Sequence, residues 1–317
     1  MSRSARVVVA TAYGGPETLQ VVGQPVAEPG PGEALLEVRA AGINPIDWKR
    51  YSGAFGNDPA QLPMRLGAEA AGVVRAVATR EQGPAGPISE GDEVIAFRIA
   101  GAYAERVIVP VSALVPKPQA LSWEQAGGLM LTGVTAIHAL TATGVGRGDT
   151  LLVHGASGGV GLMVVQLAVV RGARVIGTAS LARHDELRAL GAEPVVYGDG
   201  LAERVRELAP DGVDAAIDAV GTDEAIDVSL AVVADRDRIA TIAAFARGAQ
   251  EGIKLLGGGP GADPGTELRD AARLELVALC ADGRLTVSAR PFPLEGAARA
   301  HEEGIAGRAN GKMVLVP

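Results

Sequence analysis

The sequence predicts an α/β protein in which a β-rich first part precedes a doubly wound parallel sheet. Three observations lead to this prediction. Up to about residue 120, short β-branched runs alternate with Gly/Pro clusters, and no long stretch with a 3.6-residue period is present. From about residue 149, nearly continuous apolar strands alternate with helical segments, which is typical of a parallel sheet covered on both faces. A glycine-rich turn joins the first of these strands to a helix.

The β-rich first part is divided by turns into short predicted strands. They lie at 6–10, 34–39, 72–77, 92–97 and 103–109. We expect them to form an irregular, barrel-like sheet, because Gly and Pro interrupt the chain too often for long regular strands.

The second part begins with a helix signal. Ser122 and Gln125 have the spacing of a capping box, so a helix is predicted from there through Leu140. Strands follow at 149–155, 174–179, 193–197, 213–220 and 238–245, with helices at 159–170, 183–190, 202–208 and 223–233. The tail is mixed, with helices at 266–281 and 294–304 and strands at 285–289 and 312–316.

Composition narrows the class of protein. A chain of 317 residues suggests two domains, and its single cysteine, Cys280, excludes a disulfide scaffold and fits a reducing compartment. The net charge of −8 disfavours nucleic acid and anionic membranes as partners. No apolar run reaches the roughly 18 residues of a membrane span, and the apolar run 7–10 is too short for a secretory signal. We therefore expect a cytoplasmic protein.

The glycine-rich turn is the strongest functional signal. It runs Ala156, Ser157, Gly158, Gly159, Val160 and Gly161, between a buried strand and an apolar helix. Small residues at Ala156 and Gly158 let the backbone approach a pyrophosphate, and Gly161 lets the helix pack on the strand. Ala replaces the first glycine of the usual pattern, but the strand before and the helix after it support a dinucleotide site.

The end of the next strand indicates which dinucleotide is bound. A site for NAD usually has a carboxylate there, whereas this chain has Ser180 and Arg183, which suit the 2′-phosphate of NADPH. The alternative is that Arg183 is a solvated helix residue and that Asp185 holds the ribose.

Six motifs in order carry a family resemblance. They are Gly-Ile-Asn-Pro-Ile-Asp-Trp-Lys at 42–49, Gly-Ala-Glu-Ala-Ala-Gly at 67–72, Leu-Thr-Gly-Val-Thr-Ala at 131–136, Val-His-Gly-Ala-Ser-Gly-Gly-Val-Gly at 153–161, Val-Asp-Ala-Ala-Ile-Asp at 213–218 and Gly-Lys-Met-Val-Leu at 311–315. Together they resemble the medium-chain dehydrogenase/reductase superfamily, in its zinc-free quinone oxidoreductase (zeta-crystallin-like) branch.

The resemblance implies a domain organisation and a cofactor site. It implies a GroES-like catalytic domain at 1–120, completed by about 283–317, and a Rossmann NADPH-binding domain at 121–282. It also implies a homodimer. The matching cofactor positions are Asn44 and Thr132 near the nicotinamide, Ser157 to Val160 at the pyrophosphate, Ser180 and Arg183 at the 2′-phosphate, Tyr197 at the adenosine, and Val220, Ala243, Phe245 and Lys312 along the rest of the cofactor.

The positions that hold zinc in other members argue against a metal here. Zinc-dependent members have a Cys near residue 44 and a His in a Gly-His-Glu motif; this chain has Asn44 or Pro45 and Ala68 at these places. Catalytic zinc needs three protein ligands. The four histidines are scattered along the chain, so no metal is expected.

A site without a Lewis acid favours particular acceptors. An alkoxide developing on a saturated ketone needs a positive partner, whereas reduction of a quinone or of the activated C=C of an α,β-unsaturated carbonyl spreads the charge. We therefore expect an NADPH-dependent oxidoreductase acting on such a small molecule. A dedicated enoyl (thio)ester or enone reductase, or a redox-inactive NADPH-binding protein, remains open.

The candidates for proton transfer lie in one short segment. Lys49 matches the position where relatives carry Tyr or Lys, Tyr51 is nearby, and Asp47 is placed to orient Lys49. The alternatives are that Lys49 is solvated, that Tyr51 only packs, and that solvent supplies the proton.

Overall fold

The computed structural model describes residues 4–78 and 81–317, which form two compact units. Unit 1 comprises the chain up to Leu131 together with Arg273–Pro317, and unit 2 is Thr132–Ala272. The sequence puts these limits near 120 and 283. They fall elsewhere because the helix that follows residue 122 packs on strands of unit 1, and because a long C-terminal helix spans the second limit.

The elements follow one another along the chain with short connections. In chain order they are β1 (Ser4–Ala10), β2 (Leu19–Pro25), β3 (Glu33–Gly42), α1 (Pro45–Tyr51), β4 (Met64–Arg65), β5 (Glu69–Val77), β6 (Glu81–Gly83), β7 (Gly86–Ile88), β8 (Glu93–Phe97), β9 (Arg106–Pro110), β10 (Leu114–Pro116), α2 (Trp123–Gly127), α3 (Met130–Ala142), β11 (Thr150–His154), α4 (Gly159–Val170), β12 (Arg174–Thr178), α5 (His184–Ala189), β13 (Glu193–Val195), α6 (Leu201–Leu208), β14 (Ala215–Asp218), α7 (Asp223–Val232), β15 (Ile239–Thr241), α8 (Phe245–Glu251), β16 (Lys254–Leu255), α9 (Thr266–Ala281), β17 (Ala289–Pro293), α10 (Ala297–Ile305) and β18 (Lys312–Val316). Short 3-10 helices lie at Pro16–Thr18, Pro59–Gln61, Val111–Ala113, Leu181–Arg183, Arg236–Arg238 and Leu294–Gly296.

Unit 1 is the predicted β-rich part. Its main sheet has the order β10-β8-β5-β3-β18-β17, with β9 also paired to β3, and a smaller sheet has the order β2-β1-β4. The C-terminal strand β18 pairs antiparallel with β3, so the end of the chain completes this unit. Buried aliphatic side chains such as Leu36, Leu114 and Leu315 form its core.

Unit 2 is the predicted parallel sheet. Its six strands have the order β13-β12-β11-β14-β15-β16, and all are parallel. The strand order reverses beside β11, which makes the carboxyl ends of β11 and its neighbours the expected place for a ligand. β14 and β15 are buried along their whole length, as expected for strands covered on both faces.

Several predicted elements need correction. The single helix predicted from residue 122 to Leu140 is two helices, α2 and α3. The capping box of Ser122 and Gln125 is present, but the chain leaves the helix at Gly128. A Cβ at Gly127 would lie 2.7 Å from the carbonyl oxygen of Ala40, so this stretch is in close contact with β3.

The tail and the sheet edge also differ from expectation. The strand predicted at 285–289 is β17, four residues later, because Leu285 and Val287 are buried without pairing in a strand. The strand predicted at 238–245 ends at Thr241, and α8 follows. None of the described helices has the length and the apolar content required to cross a membrane.

Candidate functional site

The glycine-rich turn of unit 2 is tied to the end of the neighbouring strand. The backbone N–H of Gly155 donates to Thr178 Oγ1 (3.1 Å), and that of Ala156 donates to the Thr178 carbonyl (3.1 Å). Gly155 has a φ of +68°, a conformation that favours glycine and turns the chain sharply after β11. The turn is therefore held in one shape by β12.

Two glycines of this turn have different roles. A Cβ at Gly161 would lie 2.1 Å from the Gly155 carbonyl oxygen, so α4 packs directly on the turn. A Cβ at Gly158 would meet only that same oxygen, at 3.3 Å, so Gly158 borders open space. The first helical hydrogen bond of α4 runs from Leu162 N to the Gly158 carbonyl, which leaves the preceding N–H groups outside the helical ladder. This is a cradle that an anionic group can enter.

Asp218 and Thr241 hold the next two strand ends together. The buried Asp218 carboxylate accepts hydrogen bonds from the N–H groups of Val220 (2.9 Å) and Gly221 (2.8 Å) and from Thr241 Oγ1 (2.6 Å). Thr241 Oγ1 in turn accepts from Ala243 N (3.1 Å) and Ala244 N (2.9 Å). The two turns that carry the predicted cofactor residues Val220 and Ala243 are thus fixed by one buried pair.

Large apolar side chains are exposed where three of the parallel strands end. Leu181 follows β12, Tyr197 follows β13 and Val220 follows β14, and they are 74%, 55% and 50% exposed. Phe245 is half-buried and covers Gly259. Exposed apolar groups at the carboxyl ends of a parallel sheet are typical of a ligand site. We call this region, with the glycine-rich turn, the carboxyl edge.

Arg183 lies at the carboxyl edge and contacts a carboxylate of its own chain. Its guanidinium Nη2 forms an ion pair with Glu186 Oε2. The Nε and Nη2 atoms of Arg183 are buried, yet they donate no hydrogen bond within the described part of the chain. Asp185 is 99% exposed at its side chain and pairs with Arg188 at 2.8 Å. Ser180 is half-buried at the start of the same turn.

In unit 1, α1 carries the predicted catalytic segment. Asn44 precedes the helix, and its N–H donates to Asp47 Oδ2 at 2.9 Å, which fixes the first turn. Asp47 and Tyr51 are buried, whereas Lys49 is half-buried. Of the three predicted candidates, Lys49 is therefore the one whose side chain is partly accessible.

Asp47 and Tyr51 belong to one hydrogen-bonded chain. Tyr103 Oη lies 2.8 Å from Asp47 Oδ2 and 3.2 Å from His301 Nε2, and His301 Nδ1 lies 2.8 Å from Tyr51 Oη. A carboxylate only accepts, so Tyr103 donates to Asp47 and His301 Nε2–H donates to Tyr103. Nδ1 of the neutral ring then accepts from Tyr51. These geometric constraints assign the tautomer of His301.

Burial shifts the pKa values of this chain. It raises the pKa of Asp47 to about 6, although Tyr103 and Lys312 act in the opposite direction. It lowers the pKa of His301 to about 4 and raises that of Tyr51. At neutral pH the chain therefore holds a carboxylate, a neutral imidazole and two protonated phenols.

Lys312 forms a second buried network around Asn44. Its ammonium donates to the Ile43 carbonyl (2.9 Å), to Asn44 Oδ1 (2.5 Å) and to Glu69 Oε1 (2.8 Å). Asn44 Nδ2 also donates to Glu69 Oε1 (2.9 Å), and Leu131 N donates to Glu69 Oε2 (2.8 Å). All three ammonium protons have acceptors, and the Glu69 side chain is fully buried. We call the two buried networks together the unit 1 cluster.

The residues at the expected metal positions do not fit zinc. Asn44 is engaged by Glu69 and Lys312, and Ala68 offers no donor atom. Across residues 4–78 and 81–317, no three His, Cys, Asp or Glu side chains lie together as possible metal ligands.

The structure thus divides the predicted site residues between the two units. Ala156 to Gly161, Ser180, Arg183, Tyr197, Val220, Ala243 and Phe245 lie at the carboxyl edge, and Thr132 is buried in α3. Asn44, Asp47, Tyr51 and Lys312 lie in the unit 1 cluster. Six residues of these networks were not among the predicted site residues: Glu69, Tyr103, His301, Glu186, Asp218 and Thr241. Glu69 and Asp218 lie inside the motifs at 67–72 and 213–218, so their presence in these motifs could have indicated that they belong to the site.

Known families match both parts of the chain. Residues 30–119 match the alcohol dehydrogenase GroES-like domain, and residues 159–257 match the zinc-binding dehydrogenase family. A quinone oxidoreductase of Pseudomonas aeruginosa is 36% identical over 345 aligned positions, which cover 99% of this chain and 100% of the relative.

Solved structures of related proteins superpose on this chain over nearly its full length. A mycobacterial protein solved in complex with NADPH superposes with a TM-score of 0.84 at 34% identity, covering 99% of this chain and 100% of that one. An NAD-dependent alcohol dehydrogenase gives a TM-score of 0.86 at 32% identity, covering 98% of this chain and 99% of that one. With a GroES-like unit, a Rossmann-type parallel sheet and a full-length quinone oxidoreductase relative, the chain belongs to the quinone oxidoreductase branch of the medium-chain dehydrogenase/reductase superfamily.

Proposed function

We propose that the chain is an NADPH-dependent oxidoreductase that reduces a quinone or the activated C=C of an α,β-unsaturated carbonyl. The observation that carries the proposal is the carboxyl edge, where an open glycine cradle and the half-buried Arg183 guanidinium, with two nitrogens that make no hydrogen bond, follow adjacent strands. A structural relative that was solved in complex with NADPH supports the same cofactor.

We propose the cofactor contacts from the chemistry of the groups that each residue offers. The turn from Ala156 to Gly161 suits the pyrophosphate, and Ser180 with Arg183 suits the 2′-phosphate. Tyr197, Val220, Ala243 and Phe245 offer apolar surface to the rings. Asn44 and Thr132 are proposed for the nicotinamide end, and Lys312 is proposed to hold the Asn44 side chain in place there. When bound, the reduced nicotinamide supplies a hydride.

The class of acceptor is proposed from what the zinc positions of other members hold here. Asn44 and Ala68 stand at these positions, so the proposed site has no Lewis acid to stabilise an alkoxide. Charge that is spread over an enolate or a hydroquinone needs less stabilisation than an alkoxide. A quinone or enone therefore fits better than a saturated ketone.

Roles in proton transfer follow from burial. Lys49 is the proposed direct proton donor, because it is the least enclosed of the three candidates. Asp47 and Tyr51 are proposed as positioning residues, since their polar atoms face the interior of unit 1.

A substrate panel tests the reaction. NADPH oxidation is followed with quinones, enones and enoyl thioesters, using wild type, Lys49→Ala and Tyr51→Phe. Turnover with quinones or simple enones, reduced most by Lys49→Ala, is the expected result. Turnover with enoyl thioesters alone would favour a dedicated enoyl reductase. Tight NADPH binding without any turnover would favour a redox-inactive nucleotide-binding protein, and ketone reduction that a chelator abolishes would contradict the zinc-free proposal.

Assembly and location belong to the same proposal. We expect a homodimer in the cytoplasm, and light scattering during size-exclusion chromatography measures the mass of the particle directly.

A further inference from the structure

A carboxylate of the same chain, Glu186, contacts the guanidinium of Arg183. Glu186 stands one turn after Arg183, and the two side chains are only 28% and 24% exposed. Arg183 Nε, Arg183 Nη2 and Glu186 Oε2 are buried atoms, and none of them makes a hydrogen bond within the described residues. The two charges are in contact, but the contact does not have the geometry of a hydrogen bond. A polar group that displaces part of this contact would gain a donor from Arg183 or an acceptor from Glu186.

The neighbouring carboxylate is arranged differently. Asp185 is 99% exposed and pairs with Arg188, on the solvent side of α5. The two acidic residues carry the same charge and are adjacent in sequence, yet only Glu186 touches the guanidinium that suits a 2′-phosphate. Asp185 is therefore a matched control for any effect of Glu186.

The pair has opposite consequences for the two nicotinamide nucleotides. A 2′-phosphate must share Arg183 with Glu186 and approach a like charge, which costs energy in a half-buried site. A ribose 2′-hydroxyl carries no charge and can donate to Glu186 Oε2, as acidic residues do in sites for NAD.

We propose that Glu186 is a specificity-determining residue that narrows the preference for NADPH over NADH by competing for Arg183. The inference rests on the proposed function, because it assigns the 2′-phosphate to Arg183. The chain then binds both nucleotides with similar affinity, because Arg183 increases the affinity for NADPH while Glu186 reduces it and offers an acceptor to the ribose of NADH.

Binding measurements on three variants test it. Dissociation constants for NADPH and NADH, and for adenosine 2′,5′-bisphosphate and 5′-AMP, are measured for wild type, Glu186→Gln, Asp185→Asn and Arg183→Gln. Freeing Arg183 for one charge-assisted hydrogen bond to the 2′-phosphate should raise the NADPH-to-NADH affinity ratio of Glu186→Gln about tenfold. The bisphosphate fragment should show the same gain. Asp185→Asn should change the ratio less than about twofold, because exposed pairs interact weakly.

The double variant identifies the route. If Glu186 acts through Arg183, Glu186→Gln should have little effect on the ratio in an Arg183→Gln background. Equal effects of Glu186→Gln and Asp185→Asn, with NADPH still bound, would overturn this inference and leave the proposed function standing. Failure of the folded wild type to bind either nucleotide would overturn both. Thermal unfolding of each variant verifies that a change in ratio comes from a folded protein.

Discussion

The unit 1 cluster and the carboxyl edge of unit 2 both contain charged side chains, but these differ in whether their polar atoms have hydrogen-bond partners. In the cluster, Lys312 uses all its protons on buried acceptors, and Asp47 accepts from three donors, Asn44 N, Gly67 N and Tyr103 Oη. At the edge, the guanidinium of Arg183 has buried donors without hydrogen bonds, and apolar side chains face solvent. A saturated polar network stabilises one geometry, whereas unsatisfied groups are available to a ligand.

The predicted site residues fall into two groups according to their hydrogen bonds. A charged side chain in a sequence motif can be a ligand contact or part of the scaffold, and its hydrogen bonds distinguish the two. Lys312 and Asp47 have the character of scaffold, and Arg183 has that of a ligand contact. Four experiments test this distinction between scaffold residues and ligand contacts.

Removing the Lys312 ammonium should have the largest effect. Lys312→Met leaves the Glu69 carboxylate buried without its cation, and loss of one partner of a buried pair costs about 3–5 kcal/mol of unfolding free energy. Urea unfolding measures this loss. Lys117→Met is the matched control: its side chain is 6% exposed, but its partner Glu93 is 51% exposed and can be solvated, so about 1 kcal/mol is expected. Equal losses for the two variants would show that the cluster is not a closed ionic network.

Acid should destabilise the two units differently. Burial lowers the pKa of His154, in β11, to about 4, so the unfolded chain binds more protons than the native one between pH 6.5 and 4. Stability from this group is complete above pH 6.5 and falls by about 3 kcal/mol as the pH drops to 4.

Unit 1 should respond less to acid. His301 has the same lowered pKa of about 4, but the pKa of Asp47 is raised to about 6, so Asp47 contributes stability at low pH that is lost as the pH rises through 6. The two contributions offset each other below pH 6. Urea unfolding from pH 4 to 7 should show a shallower pH dependence for His154→Leu and a steeper one for Asp47→Asn. If the unfolding free energy of His154→Leu depended on pH as strongly as that of the wild type, the lowered pKa of His154 would not be the cause of the acid sensitivity.

Asp218 should have an intermediate effect that appears in both stability and binding. Asp218→Asn replaces one carboxylate oxygen by an NH2 group, which then faces another donor, either the N–H groups of Val220 and Gly221 or the Thr241 hydroxyl. We expect the unfolding free energy to fall by about 2 kcal/mol. The turns of Val220 and Ala243 should loosen, and NADPH affinity should fall together with the unfolding free energy. Asp214→Asn is the control, because Asp214 accepts a single exposed N–H, from Thr150 at 2.7 Å. Unaltered NADPH binding in Asp218→Asn would show that the Asp218–Thr241 pair does not position the nucleotide-binding turns.

Tyr51→Phe should have the smallest effect. The variant leaves His301 Nδ1 without its donor and should cost about 1 kcal/mol in thermal unfolding. Tyr13→Phe loses only an exposed hydrogen bond to the Asp58 carbonyl and should cost less. If Tyr51→Phe abolished turnover without any change in stability, Tyr51 would be a catalytic residue and not a positioning one.

Much of the architecture was predictable from local patterns. The parallel sheet, the glycine-rich turn and the helix at 266–281 all follow from periodicity and from residues with strong local preferences. The break between α2 and α3 was not predictable, because it depends on contact between Gly127 and a distant strand. The short helix α8, which lacks a side-chain cap, was missed for a similar reason.

The fold class, the family and the position of the glycine cradle depend on spacing along the chain, so they could be predicted from local patterns. Which polar side chains are already paired depends on how the strands assemble and had to be observed in the folded protein. Tyr51 meets His301 across 250 residues, and Lys312 meets Asn44 across 268. Contacts over such distances depend on how strands assemble, and neighbouring residues such as Asp185 and Glu186 differ in role only through the direction in which the helix presents them.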